Sequence, residues 1–258
     1  MAEVCAQQLA LQDDAAAAGL AAGRATSGLA GVPDYLRIHY WWAYVHPRAV
    51  DLVERQWLIN LILWGNYTRL RDAALSALGK ILPGATLQVA CVYGDLSVEL
   101  DKRVAAGRGL FDVVDVLPIQ LRNLRKKLPK NTLARLLAMN STQLRLGDGT
   151  YDRALLFFLL HEQPLNVRLQ TLREAFRVVK PGGRIVIVDY AKPNWWNPVR
   201  YLWRPLLATL EPFALDLWRE DMLRWLPQRD IDDVRTRRFF GGLYQMTTVT
   251  VRAPTLAG

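Results

Sequence analysis

The sequence predicts an α/β chain organised on a doubly wound parallel sheet. Short apolar runs recur at residues 86–92, 111–117, 151–160 and 184–190. They lack clean alternation, as strands buried on both faces do. Stretches of helical spacing lie between them, bounded by Gly, Pro or capping residues. The first run leads through a glycine turn into a helix start, Val89-Ala-Cys-Val-Tyr-Gly-Asp-Leu96. A strand, a tight turn and a helix at a sheet edge is where such folds take up nucleotide-like ligands.

At 258 residues and 51% hydrophobic, the chain is long and apolar enough for one α/β domain with an added cap, which excludes a disordered chain. The net charge of +9 suits nucleic acid, anionic lipid or an anionic substrate. Nine tryptophans, several beside arginines, favour a membrane interface or a large flat ligand, and no nucleic-acid partner is expected. Cys5 and Cys91 imply no disulfide framework and fit a reducing cytosol. No signal-peptide pattern opens the sequence. No apolar run approaches the roughly 20 residues that cross a bilayer, so the chain is expected to lie on a membrane and not to span it.

In order, residues 1–31 are rich in Ala, Gly and Gln and read as a loosely helical tail without chemistry. Residues 32–80 read as a helical aromatic cap, in which residues 35–47 hold five aromatic rings plus His39 and His46. Val50, Val53, Trp57, Leu61 and Trp64 then recur at helical spacing over residues 48–67, and a further helix covers 68–78 before Gly79. The cap is either packed on the sheet or a lid over the ligand. The remaining body covers residues 81–258. After strand 86–92, Gly94 permits a close approach to the main chain and Asp95 caps a helix over 96–106. Strand 111–117 places Asp115 near its end, about twenty residues past the turn, the spacing at which an acid reaches a ribose hydroxyl pair. A basic helix (119–129), strand 135–139, the polar run Asn140-Ser-Thr-Gln143 and a turn at 146–150 follow.

Strand 151–160 ends at His161-Glu-Gln-Pro164, and helix 166–179 stops at Lys180-Pro-Gly-Gly183 before strand 184–190. An insertion over 192–227 carries Trp195, Trp196, Tyr201, Trp203, Phe213, Trp218 and Trp225, interleaved with Arg200, Arg204, Arg219 and Arg224. It reads either as a helix lying in a membrane interface or as a core-packed subdomain. Strands 235–240 and 244–252 close the chain as a hairpin around Gly241-Gly242.

The first motif, Asp115, Tyr151-Asp152 and Leu172-Arg-Glu-Ala-Phe-Arg-Val-Val-Lys-Pro-Gly-Gly-Arg-Ile-Val-Ile-Val-Asp189 together resemble class I S-adenosylmethionine-dependent methyltransferases. The resemblance is greatest to the ubiquinone/menaquinone C-methyltransferases, and Ala191-Lys-Pro193 extends it. It implies a seven-stranded Rossmann-like sheet with a helical cap and an aromatic-rich insertion before the last hairpin. The chain departs from that pattern at the turn. Gln88 stands for an acidic residue, Cys91 and Val92 for glycines, and Tyr93 for threonine. With those changes the motif resembles the rhodoquinone-biosynthesis family of purple non-sulfur bacteria. That family's implied reaction replaces a methoxy group of ubiquinone by an amino group, with S-adenosylmethionine as donor and Mn²⁺ as metal.

The resemblance further implies that Val89, Ala90, Cys91, Val92, Tyr93, Gly94 and Asp95 contact the methionine half of the cofactor. Asp115 would bind the ribose, Val116 and Leu117 would lie beside the adenine, and Asn140 and Ser141 near its amine. His161, Glu162 and Asp189 stand at strand ends as an oxygen-and-imidazole set suited to manganese, though His161 also reads as a simple capping residue and Asp189 as a structural one. Tyr93, His161 and Glu162 are the catalytic candidates, Tyr93 otherwise filling the space of lost glycines. The expected partners are membrane-embedded ubiquinone and an anionic bilayer, at the cytoplasmic face of a bacterial inner membrane. An ordinary quinone methyltransferase, a non-catalytic cofactor-binding accessory protein and an RNA-modifying protein are the competing readings.

Overall fold

The structure, a computed structural model, describes residues 33–39, 56–211 and 213–253. The expected tail, the aromatic segment with Trp41, Trp42 and His46, and Cys5 lie outside the described residues. The chain divides at Asp34, and the unit Tyr35–Gly258 carries the whole sheet.

Helices α1 (Asp34–His39), α2 (Gln56–Ile62) and α3 (Tyr67–Leu78) precede β1 (Ala85–Val89). There follow α4 (Leu96–Ala106), β2 (Leu110–Asp115), α5 (Pro118–Lys127), β3 (Arg135–Ala138) and β4 (Tyr151–Phe157). The chain continues with a 3-10 turn (Leu160–Glu162), α6 (Leu165–Val178), β5 (Val179–Tyr190), α7 (Val199–Leu210) and α8 (Asp216–Arg219), and closes on β6 (Ile231–Phe239) and β7 (Tyr244–Val251). The seven strands run β3-β2-β1-β4-β5-β7-β6. The first five are parallel, and β7 is antiparallel to both neighbours. This is the doubly wound sheet expected, with the order of strand addition reversing between β1 and β4, where such sheets open a crevice. The centre is apolar on both faces: Leu87, Leu155, Leu156 and Ile185 through Val188 are wholly buried. Their combined β-branched and leucine side chains explain why no alternation shows in the sequence.

Where element limits differ from expectation, the cause is local. Helix 48–67 breaks at a turn around Trp64 and Gly65, both with positive φ, and α3 restarts at Tyr67. The first strand stops at Val89 because Ala90 turns left-handed (φ 71°), so Cys91 and Val92 are loop. Lys180-Pro-Gly-Gly183 does not precede the fifth strand but lies inside it: Val179 already pairs with Tyr151, and a register shift absorbs the extra residues.

Asp95 does not cap α4 with its side chain. Tyr67, buried on α3, does that work from outside. Its Oη accepts from the Asp95 and Leu96 amides at 3.0 and 3.1 Å and donates to Asp95 Oδ1 at 3.0 Å. The Asp95 carboxylate also pairs with Arg71, which offsets its desolvation and holds it below the usual carboxylate range. What approaches Gly94 (φ 82°) is therefore this phenol: a Cβ there would sit 2.5 Å from the hydroxyl.

Tyr67→Phe removes a hydroxyl that satisfies these helix-end amides. It should lower the unfolding free energy by about 1–3 kcal/mol, a drop in Tm of several degrees. An unchanged melting curve refutes the capping role.

Candidate active site

A cavity of about 300 Å³ lies at the carboxyl ends of β1, β2, β4 and β5. One side is formed by Ala90, Cys91, Val92 and Tyr93 from the turn, with Asp115 at the end of β2 and Val116 and Leu117 after it. Met139, Asn140 and Ser141 follow β3, while Phe158, His161, Glu162 and Tyr190 stand at the ends of β4 and β5. Helices α1 and α2 close it with Tyr35, Leu36, Ile59 and Ile62. Thus most of the residues singled out in the sequence come together. Val89, Gly94, Asp95 and Asp189 do not line the space. Val89 is core strand, and Gly94 and Asp95 face Tyr67.

Asp115 joins the two loops that form this side of the crevice. Its Oδ2 accepts from the Cys91 amide and its Oδ1 from the Leu117 amide, each at 2.8 Å. Burial pushes its carboxyl up to about 6, and those amides limit the rise. A buried acceptor carboxylate at this place suits a pair of sugar hydroxyls. Val116, Leu117 and Met139 offer apolar walls to a flat ring, and Asn140 and Ser141 offer polar atoms at its edge. Asn140 Oδ1 accepts from the Thr142 amide at 3.0 Å. Ser141 Oγ lies 2.8 Å from Thr171 Oγ1 and accepts from Gln163 Nε2 at 3.2 Å. The donor set fits a nucleoside carrying an amino-acid chain, with the turn beneath the chain.

The turn itself is held by side chains. Gln120 Nε2 donates to Tyr93 Oη at 2.8 Å, and Lys127 Nζ donates to Val92 O and Gly94 O at 3.3 and 3.0 Å. Gln88 is wholly buried, and its Nε2 donates to Ala90 O and Ser97 Oγ, both at 2.9 Å. Its amide thus keeps the turn in place and carries no charge.

On the far side, His161 is buried with Nδ1 3.0 Å from Asp189 Oδ1 and Nε2 4.0 Å from Glu211 Oε2. Burial alone would lower its pKa; the carboxylates of Asp189, then Glu211 and Glu162, outweigh that and raise it to about 9. His161 is an imidazolium at neutral pH, edge-on to Phe158 and Tyr190 at 5.9 and 5.0 Å.

The expected metal set of His161, Glu162 and Asp189 is not formed. Asp189 Oδ2 already accepts from the Leu160 and His161 amides, and Oδ1 from His161 and the Tyr190 amide. With all its lone pairs directed at donors it has none for a cation. Among the described residues no group of three or more His, Cys, Asp and Glu could hold a metal.

Sequence reasoning missed Tyr67, Gln120, Glu211 and Arg168, none of which belongs to a local motif. Arg168 on α6 is wholly buried; it donates to Leu160 O, Gln163 O and Phe213 O and stacks on Trp225 at 4.2 Å. It ties the loop carrying His161 to the insertion.

The raised imidazole fixes a sign. Its pairing with Asp189 stabilises the fold fully below pH 6.5 and is lost as pH rises through about 9. Unfolding free energy of the wild type should fall by roughly 3 kcal/mol across that window, and His161→Gln should flatten the slope. Equal pH profiles in chemical denaturation would contradict the pairing.

The family model described as the ubiE/COQ5 methyltransferase family matches residues 57–217. An uncharacterized methyltransferase of Synechocystis is 29% identical over 210 residues, 80% of this chain and 92% of its own length. A demethylmenaquinone methyltransferase of Chlamydia trachomatis is 31% identical over 105 residues, only 41% of this chain and 44% of its own. The crystal structure of a Burkholderia thailandensis 1,6-didemethyltoxoflavin-N1-methyltransferase, with S-adenosylhomocysteine bound, superposes with a TM-score of 0.54. It covers 85% of this chain and 88% of that one at 18% identity, a likeness of fold. With the sheet order, the crevice and the matched span in agreement, this chain belongs to the ubiE/COQ5 methyltransferase family, whose class I fold serves S-adenosylmethionine-dependent transfer.

Proposed function

We propose that the cavity takes up S-adenosylmethionine beside the ring of ubiquinone, and that a methoxy group of the ring is exchanged for an amino group, giving rhodoquinone. Asp115 would hold the ribose hydroxyls, and Val116 and Leu117 would flank the adenine, with Asn140 and Ser141 at its amine. Ala90 to Tyr93 would run along the methionine chain. When bound, the cofactor would supply the nitrogen of its amino group: the ring C–N bond would form as the methoxy group leaves as methanol, and water would then cleave the nitrogen's bond to the methionine α-carbon.

The observation that carries the reading is the remodelled turn. The buried group beneath it is a neutral amide with its donors committed to Ala90 and Ser97. Nothing anionic at Gln88 grips the amino end of the methionine, which leaves that nitrogen reactive. Tyr93, held by Gln120, lines the cavity and would crowd the methionine chain where smaller residues would leave room for methyl transfer. His161, charged at neutral pH, would stabilise negative charge on a quinone oxygen as the neighbouring ring carbon is attacked. Manganese is part of the resemblance, but His161, Glu162 and Asp189 do not fit it as ligands, and no step is assigned to it. C-methylation of a quinone is the second reading, favoured by the name of the Chlamydia relative. A cofactor-binding protein without turnover is the third.

The purified chain, given short-tailed ubiquinone and S-adenosylmethionine labelled with ¹⁵N at the amino group, should yield a labelled aminoquinone, with and without added manganese. A methylated ring establishes the second reading, and no turnover the third. Replacing Cys91 and Val92 by Gly and Tyr93 by Thr should reduce amination at least tenfold; full activity removes the turn from the argument.

Because ribose hydroxyls donate to an ionised acceptor, cofactor affinity should rise as pH increases through about 6, where Asp115 titrates. Asp115→Asn should weaken binding at pH 7.5 by about tenfold to a hundredfold and remove the pH dependence. Calorimetric titration with S-adenosylhomocysteine reads both; affinity indifferent to residue 115 places the nucleoside elsewhere.

A further inference from the structure

Next to the cavity lies a face whose side chains do not suit water. Trp195 is 79% exposed, Trp196 59%, Tyr201 72% and Leu202 60%. They belong to α7 and the turn leading into it. Leu61 is 66% exposed and Ile62 41%, at the end of α2. The two segments meet where Trp64 packs edge-on against the buried Trp203 of α7, ring centroids 5.5 Å apart. Ile62 is at once on this face and in the cavity wall.

Charge on these segments is one-sided. Residues 56–66 carry none, and residues 192–210 carry Lys192, Arg200 and Arg204 with no acid. The exposed side of a water-soluble helix normally mixes both signs and avoids large rings. Helix α7 instead buries Trp203 and Leu207 on one side and presents Tyr201, Leu202 and Arg204 on the other. The Arg200 guanidinium lies over the Tyr201 ring, 5.5 Å from its centroid. Tryptophan and tyrosine flanked by arginine match the boundary of a bilayer, where rings take the interfacial depth and guanidinium groups meet phosphates. No described helix is long and apolar enough to cross a membrane.

We infer that this face docks on an anionic phospholipid bilayer, laying α7 along the headgroup region with the Ile62 wall of the cavity beside the lipid. The inference goes beyond the quinone reading and does not need it: a protein acting on another ligand would still bind vesicles this way. Its energy combines burial of aromatic area with attraction of the surface cations to an anionic leaflet.

The test is co-sedimentation of the full chain with vesicles of phosphatidylcholine alone or mixed with phosphatidylglycerol. The wild type should partition at least tenfold better into the mixed vesicles, and less so at high salt. Trp195→Ser with Trp196→Ser and Tyr201→Ser should lose at least tenfold on both. Arg200→Glu with Arg204→Glu should lose the preference for the anionic vesicles. Both variants should keep wild-type affinity for S-adenosylhomocysteine, since none of these residues lines the cavity. Should a variant fail to fold, brominated lipids in the mixed vesicles must still quench wild-type tryptophan fluorescence. Equal partition of the wild type into both vesicles, no quenching, or binding untouched by the serine variant overturns the inference. So does a wild-type dimer that the serine variant turns into a monomer while neither binds lipid, which would make this a face between two copies.

Discussion

The carboxylate of Asp115 ties together the two loops that form one side of the cavity. One oxygen accepts from the loop after β1 and the other from the loop after β2, at equal distances of 2.8 Å. Neither loop can move without breaking a hydrogen bond to a group buried away from water, where an unsatisfied carboxylate is costly. The same burial raises the carboxyl to about 6. Hydroxyl donors would favour its charged form, so the position suits a sugar.

From that anchor the turn runs to a second one. Tyr67 takes the amides at the head of α4, and Lys127 takes the carbonyls of Val92 and Gly94 between the anchors. Glycine-rich turns in such folds conform because their residues are small. Here conformity is imposed by side chains arriving from α3 and α5, which lets Cys91, Val92 and Tyr93 occupy the loop. The far side repeats the strategy. Asp189 saturates itself on loop amides and the His161 ring, and Arg168 bolts that loop to the insertion through Phe213 and Trp225. Both halves of the cavity are therefore preorganised by buried charge within hydrogen-bonded networks.

Much of this was legible because it is local. The strand–turn–helix around Gly94, the acid at 115 and the polar pair at 140 and 141 each sit at a fixed offset from a strand end, and strand ends follow from apolar runs. Helix α4 begins and ends where spacing and Gly107 place it. What escaped is what the fold brings from afar. Tyr67 lies 28 residues from Asp95, and Glu211 is in another segment of the chain from His161. A tyrosine on a helix face gives no sign in sequence that its hydroxyl will serve a different helix. The metal set failed for a related reason. The residue types suit a metal in the abstract, but the number of backbone amides aimed at Asp189 depends on how the loop after β4 folds back, and residue type does not reveal that.

The ends of β1 and β4 show where fold stops deciding chemistry. At each, the first residue past the strand is left-handed without being glycine: Ala90 at φ 71° and Phe158 at φ 54°. Such a conformation costs about 1 kcal/mol or more. It is offset by a bond to the neighbouring strand, Ala90 N–H to Val114 O and Phe158 N–H to Val188 O, each at 2.8 Å. Both residues line the cavity. Bending the central strands apart in this way opens the crevice, and any member of the fold can do it with any side chains beyond the bend. In the proposed reading, which group of a bound donor faces the acceptor is set one step later, by the aromatic ring in the turn and the amide beneath it. The family likeness points to methyl transfer, and the proposed amination rests on Gln88 and Tyr93 alone.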